Sequence, residues 1–366
     1  MQEVEEAEAG RTYCATRYDA FKIMRLMYLS TQINCTSILN LAVSQPVQSY
    51  PAFPPAGAIT SNKIYASLTT SSYRPQTSNV LPDFATQIQE FITLSKSMPP
   101  ARDTVFVVSF GLWDIYQLAG LDGELAQNLT DISLTELFTQ LDILYSYYVE
   151  HLPNNSLLAT QSMQRNTTLV EPAFRVIIPK LSDPTLLPGW MSQRPVPLTP
   201  TSIAEQQKNA VYLTEHWNSI LENKMAHWLQ ITPDQKSQDN NTTTCTAFLP
   251  KDIFYCDIPK FILDLLVEHQ LEDENLADAS GLGTYEIPIR SVYQPCVREA
   301  GEGDTDGQVD LFGKLVCEEP EEYLFWDDFR LGVVANEAIG RAVGKMMVEG
   351  KSIKGMLKET EMKKGT

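Results

Sequence analysis

Positive charge is scarce in this sequence. Lysine and arginine number 28 against 46 aspartates and glutamates, giving a formal net charge of −18 and a pI near 4.6. Nucleic-acid backbones are held by basic faces, and no long Lys/Arg run occurs before the C-terminus, which argues against nucleic acid as a partner. No apolar run is long enough to span a bilayer. The opening MQEVEEAEAG is acidic, where a signal peptide carries a basic end and then an apolar stretch. No C-x-x-C pair occurs among the six cysteines, so zinc and thioredoxin-like spacings are absent and the even count suits disulfides. Histidine is limited to four residues, His151, His216, His227 and His269. All lie on or beside segments of helical pattern, where packing or surface roles are expected.

What is present points to one large α/β domain. The 366 residues are 43% apolar, enough for a sizeable core. N-x-S/T sequons occur at Asn34, Asn128, Asn154, Asn166, Asn240 and Asn241. With the cysteines, they suggest the secretory pathway, although no signal peptide is seen. The expectation is therefore of a secreted or luminal chain whose N-terminus is truncated or altered. Residues 1–30 read as an atypical leading segment and helix, 31–347 as the α/β domain, and 348–366 as a Lys-rich, frayed tail.

Strand and helix patterns alternate along the domain. Buried strands are expected at DTVFVVSFG (103–111), FRVIIP (174–179) and DIFYCDIP (252–259). Helices are expected at 83–96, from Ser133 (capping box with Glu136), from Ser202 (capping box with Glu205), and after Pro259. QPVQSYPAFPPAGAITSN (45–62) reads as a proline-rich surface excursion, and SDPTLLPGWMSQRPVPLTP as a long loop of the kind that lines sites. Repeated strand-then-helix order implies a mainly parallel sheet with helices on both faces. DTDGQVD (304–310) spaces carboxylates like a calcium loop but lacks the twelfth-position Glu, so a solvated acidic loop is expected and no metal.

Function in such a sheet gathers at the carboxyl ends of the strands. One such place is VVSFGLWDIY, where Gly111 ends a strand and Trp113 and Asp114 follow. A second is the stretch from Cys296 to Cys317 and on to YLFWDDFRLG, where Asp327 precedes Arg330. The order of these features resembles the SGNH/GDSL hydrolase superfamily, notably its plant-type and fungal branches. There a cysteine pair precedes YxFWDxxHPT, a strand ends in G-x-N-D, and a helix carries a Gln and Phe like Gln87 and Phe91. An upstream segment similar to INCTSILNLAVSQP normally ends on glycine.

The resemblance implies a flavodoxin-like three-layer α/β/α fold, a Cys296–Cys317 disulfide, and hydrolysis of acyl or acetyl esters of lipids or carbohydrates without cofactor or metal. It also implies a Ser-His-Asp triad with a G-D-S nucleophile near the N-terminus. This chain departs from the pattern. Residues 1–40 contain no G-D-S, and Gly303-Asp304-Thr305 lies between the cysteines with no strand before it. The oxyanion glycine falls on Gln45, the third-block asparagine on Trp113, and the histidine on Arg330, which cannot act as a base. Only Gly111, Asp114 and Asp327 fit. The chain is thus expected to be a catalytically impaired or truncated member, with its first strand missing. The alternative is a non-catalytic glycan- or ligand-binding protein on the same fold, with Trp113 and Trp190 as stacking platforms.

Overall fold

The computed structural model describes residues 13–14, 29–33, 35, 37–42, 57–66, 81–97, 104–151, 173–192, 201–230, 249–273, 289, 291–299, 307–309 and 313–353. Its centre is a five-stranded, wholly parallel sheet in the order β2-β1-β3-β4-β5. The strands are β1 (Tyr13–Cys14), β2 (Ser37–Ile38), β3 (Val105–Val107), β4 (Phe174–Pro179) and β5 (Lys251–Cys256). In that order the direction of winding reverses between β1 and β3, which makes this the switch point of the parallel sheet. The helices are α1 (Asn62–Ala66), α2 (Phe84–Ser95), α3 (Leu112–Leu118), α4 (Gly123–His151), α5 (Thr201–Gln230), α6 (Ile258–Asp273) and α7 (Val333–Val348).

The expectation of a missing first strand is overturned. Tyr13 pairs with Ser37, and Cys14 with both Ile38 and Val105, so a strand stands between β2 and β3. Two residues are too few to show alternation, which hid this strand in the sequence. The paired β1 supplies backbone partners to both neighbours, so neither is left with an open interior edge.

Aromatic packing fixes one face of the sheet. Phe106 of β3 stacks on Phe174 of β4 at 5.0 Å and meets Phe91 of α2 and Tyr148 of α4 edge-on. Phe174 in turn meets Tyr145, Tyr148 and Trp228, the last from α5. Lys251 lies among these rings, with its Nζ 4.0 Å from the Trp228 centroid and 3.7 Å from Asp142. An ammonium this buried is tolerable because a carboxylate and two ring faces stand in for water.

Several boundaries differ from expectation for identifiable reasons. The helix expected from Ser133 begins ten residues earlier, at Gly123, and Asp122 Oδ1 accepts the Glu124 N–H at 3.1 Å. Ser133 is a wholly buried interior residue, so its spacing to Glu136 is coincidental. The segment read as a surface excursion is partly interior: Ile59, Thr60 and Ser61 are all buried. The Gly/Asp-rich stretch between the cysteines is not all loop. β6 (Val297–Glu299), β7 (Gln308–Val309) and β8 (Lys314–Val316) form an antiparallel sheet in the order β6-β8-β7. Gly307, at φ 129°, leads into β7 at a point where a Cβ would strike the Val316 carbonyl. At the C-terminus Ser352 is buried, so the tail is not solvated from its start.

Asn128 is exposed on α4, but Thr130 of the same sequon is fully buried. Asn34, Asn154, Asn166, Asn240 and Asn241 lie outside the described residues, as do positions 17–28 of the segment 17–30 expected to be helical, while Leu29 and Ser30 are helical. Among the described residues no helix is long and apolar enough to cross a membrane.

The Cys296–Cys317 disulfide is present and closes a separation of 21 residues around the small sheet. Cys35 is also disulfide-bonded, while Cys256 is a buried thiol. Loop-closure entropy for that separation is worth about 3 kcal/mol. The double replacement Cys296→Ser/Cys317→Ser should lower unfolding free energy by about that amount in denaturant titrations. An unchanged midpoint would show that the small sheet holds without the cross-link.

Candidate functional site

The switch point between β1 and β3 places the β3 carboxyl end at the natural crevice of the sheet. Gly111 follows β3 at φ 111°, a conformation that favours glycine, and a Cβ there would lie 2.7 Å from the Trp217 ring. The turn hands the chain directly to α3, and so puts Trp113 and Asp114 just beyond the strand.

Asp114 is fully buried and gathers donors from three places in the chain. Thr60 donates its N–H to both carboxylate oxygens at 3.1 Å and its Oγ1–H to Oδ2 at 3.0 Å. Tyr65 donates its hydroxyl to Oδ1 at 3.2 Å, and the Gly111 N–H also favours the ionised form. Burial outweighs these donors, so the carboxyl is pushed up to about 6. The same burial, with the neighbouring carboxylate, raises Tyr65 well above the usual phenol range. This clamp seats the Gly57–Thr60 stretch against α3. A Cβ on Gly57 would lie 1.9 Å from Trp113 Nε1, so the indole rests on bare backbone.

The second predicted element is a tight loop. Phe325 and Leu331 form an antiparallel bridge, and Trp326 donates its N–H to the Arg330 carbonyl at 2.7 Å. Inside it, Asp327 Oδ1 accepts the Phe329 and Arg330 N–H groups at 3.0 and 2.8 Å. Oδ2 accepts Arg330 Nε at 2.8 Å. Burial raises the Asp327 carboxyl, opposed by the guanidinium and these two N–H groups. Both oxygens are therefore committed within the loop. The Asp328 carbonyl accepts the Gly189 N–H at 2.7 Å, and Phe329 covers Gly189 so closely that a Cβ would strike its ring.

Phe329 joins the two elements. Its ring lies 4.7 Å from Trp113 and 5.6 Å from Tyr116, and Tyr116 lies 5.6 Å from Trp190. Beside this cluster opens a cavity of about 310 Å³, within the size range of small-molecule sites. Gly111, Trp113 and Arg330 line it, whereas Asp114 and Asp327 are not among its lining residues. Gln45 lies outside the described residues. Trp190 is 2% exposed and Trp113 8%, both packed in the cluster, and of the two Trp113 lines the cavity.

No histidine is found among the described lining residues. His151 contacts the Tyr147 carbonyl at 2.9 Å and His216 contacts Asp131 at 2.7 Å, both on helix surfaces away from the loop. Among the described residues no cluster of three or more His, Cys, Asp or Glu could hold a metal ion.

Sequence reasoning missed Gly57, Thr60, Tyr65 and the role of Phe329. Gly57 was obscured by its proline-rich surroundings, and nothing in the sequence links Thr60 to a carboxylate 54 residues on. Comparison with known proteins finds no matching family model and no matching curated protein.

The Asp114 shift has a pH consequence. A carboxyl raised from 3.8 to about 6 binds more protons folded than unfolded between those values. Its contribution to stability is present below the unfolded value and is lost as pH rises through about 6, amounting to about 3 kcal/mol at neutral pH. The Asp327 shift has the same sign, so comparison with Asp114→Asn isolates the clamp. Relative to that variant, the wild type should lose about 3 kcal/mol between roughly pH 4 and 7. Parallel pH–stability curves would refute the buried charge.

Proposed function

We propose that this protein is a non-catalytic, ligand-binding relative of SGNH/GDSL ester hydrolases, with that family's three-layer α/β/α arrangement and a cleft adapted to binding. The observation that carries the reading is the Asp327–Arg330 pair. In a Ser-His-Asp triad the aspartate orients a histidine that takes the serine proton. Here Asp327 is spent on a guanidinium and two N–H groups. The first serine in the sequence is Ser30, well beyond β1, where the nucleophile of the resembled family belongs.

The parallel strand order, the Cys296–Cys317 bond and the apolar cavity all support the same reading. The disulfides further support a place in the secretory pathway. A catalytically impaired esterase is the neighbouring possibility, and turnover separates the two.

Purified protein should hydrolyse a short-chain aryl ester no faster than background. Arg330→His should not rescue it, because a base without a nucleophile has nothing to activate. Losing the serine or the histidine from such a unit costs roughly a millionfold. Robust turnover blocked by a serine-directed phosphonate would overturn the reading.

A further inference from the structure

Helix α4 leaves a line of apolar side chains bare. Its core side packs on the sheet, where Tyr148 meets Phe106 and Tyr145 meets Phe174. Another flank faces α5: the Tyr212 hydroxyl donates to Gln127 Oε1 at 3.2 Å, and His216 meets Asp131 at 2.7 Å. Leu125, Ile132 and Ile143 belong to neither side and are all exposed. About two and then about three helical turns separate them, so they share one side of the helix.

Asn128 stands beside this line. It is exposed, three residues after Leu125 and four before Ile132, the spacings at which helical side chains are neighbours. It also heads Asn128-Leu129-Thr130, an acceptor sequence for N-linked sugar. Exposed apolar groups and an exposed sugar acceptor therefore lie side by side.

The folded helix is not the form in which that acceptor can be read. Side chains at i and i+2 point to different sides of a helix. Thr130 is fully buried, and its Oγ1–H donates to the Ala126 carbonyl at 2.9 Å. An enzyme that reads the asparagine and the hydroxyl together needs this segment before it coils. A sugar already in place is no obstacle to folding, because Asn128 itself stays exposed.

We propose that Asn128 carries an N-linked glycan, attached before α4 forms, whose first sugars lie over Leu125 and Ile132. In the attachment, the Asn128 amide nitrogen bonds to the anomeric carbon of an N-acetylglucosamine. The bond from that carbon to the diphosphate of a lipid-linked oligosaccharide breaks and the lipid diphosphate leaves. The amide nitrogen gives up one proton to a base of the transferase. Leu125 and Ile132 lie about 4.5 and 6 Å from Asn128 along the helix axis, within reach of the first two rings. Pyranose rings present apolar C–H faces, which cover these side chains while the hydroxyls meet water. This rests on the secretory-pathway reading and adds to it the residue modified and the surface shielded.

The test starts with the full chain purified from the cells that make it. Enzymatic release of glycans in heavy-oxygen water, then peptide mass spectrometry, marks every asparagine that carried sugar. Asn128 should be marked in most molecules. Marks at other sequons with none at Asn128 would overturn the proposal and leave the secretory reading intact. No mark at any sequon would remove both. The covering has its own readout. Folded Asn128→Gln keeps a polar side chain but accepts no sugar, and should bind an apolar-surface dye about twofold more than the wild type. Adding Leu125→Ser and Ile132→Ser should return the signal to the wild-type value. An unchanged signal in folded Asn128→Gln would show that the sugar does not lie on these residues. Should that variant not fold, enzymatically deglycosylated wild type takes its place in the dye measurement.

Discussion

The buried carboxylate of Asp114 is the fastening on which the site depends. It is reached from Thr60 by backbone and side chain, from Tyr65 by a phenol, and from the Gly111 N–H at the strand end. These donors come from a segment some fifty residues away in sequence and from the turn after β3. The clamp holds Thr60 three residues on from Gly57, whose backbone lies against the Trp113 indole. Burying a charge this deeply is unfavourable in itself, which is why the carboxyl titrates so high. The fold tolerates it because satisfied polar networks specify one arrangement where apolar packing would allow several.

The sheet was largely legible in the sequence, and the site only partly. β3, β4 and β5 were readable as runs of branched and aromatic residues ending at Gly or Pro, because strands buried on both faces need no alternation. β1 was not, since Tyr13–Cys14 has no periodicity and is defined only by the neighbours it pairs with. The start of α4 was misplaced because a capping box is a local pattern. Tertiary packing decided that Ser133 belongs inside the core, where its hydroxyl caps nothing. At the site, Gly111 and the Asp327–Arg330 spacing could be read directly. Thr60 and Tyr65 could not, because their roles depend on contacts across long sequence separations.

An arginine beside Asp327 has a different electrostatic consequence from the histidine of a triad. In a working triad the aspartate is paired with a neutral imidazole at rest, and its negative charge is fully balanced only when the histidine takes a proton. That deferred balance stabilises the charge developing in the transition state. A guanidinium is always protonated, so Arg330 balances Asp327 permanently and leaves no field for a forming cation to exploit.

The pair serves geometry instead. Asp327 holds the Phe329 and Arg330 N–H groups, and so fixes the turn that presents the Phe329 ring to Trp113, Tyr116 and Gly189. Asp328, next in the chain, accepts the Gly189 N–H and ties the same turn to the loop after β4. A loop that in the resembled hydrolases positions a proton acceptor here positions an aromatic ring against the cavity. The two elements of the site, the Asp114 clamp and the Asp327 turn, therefore meet through Trp113 and Phe329. Changing either carboxylate should therefore be felt as a shift in the cavity wall.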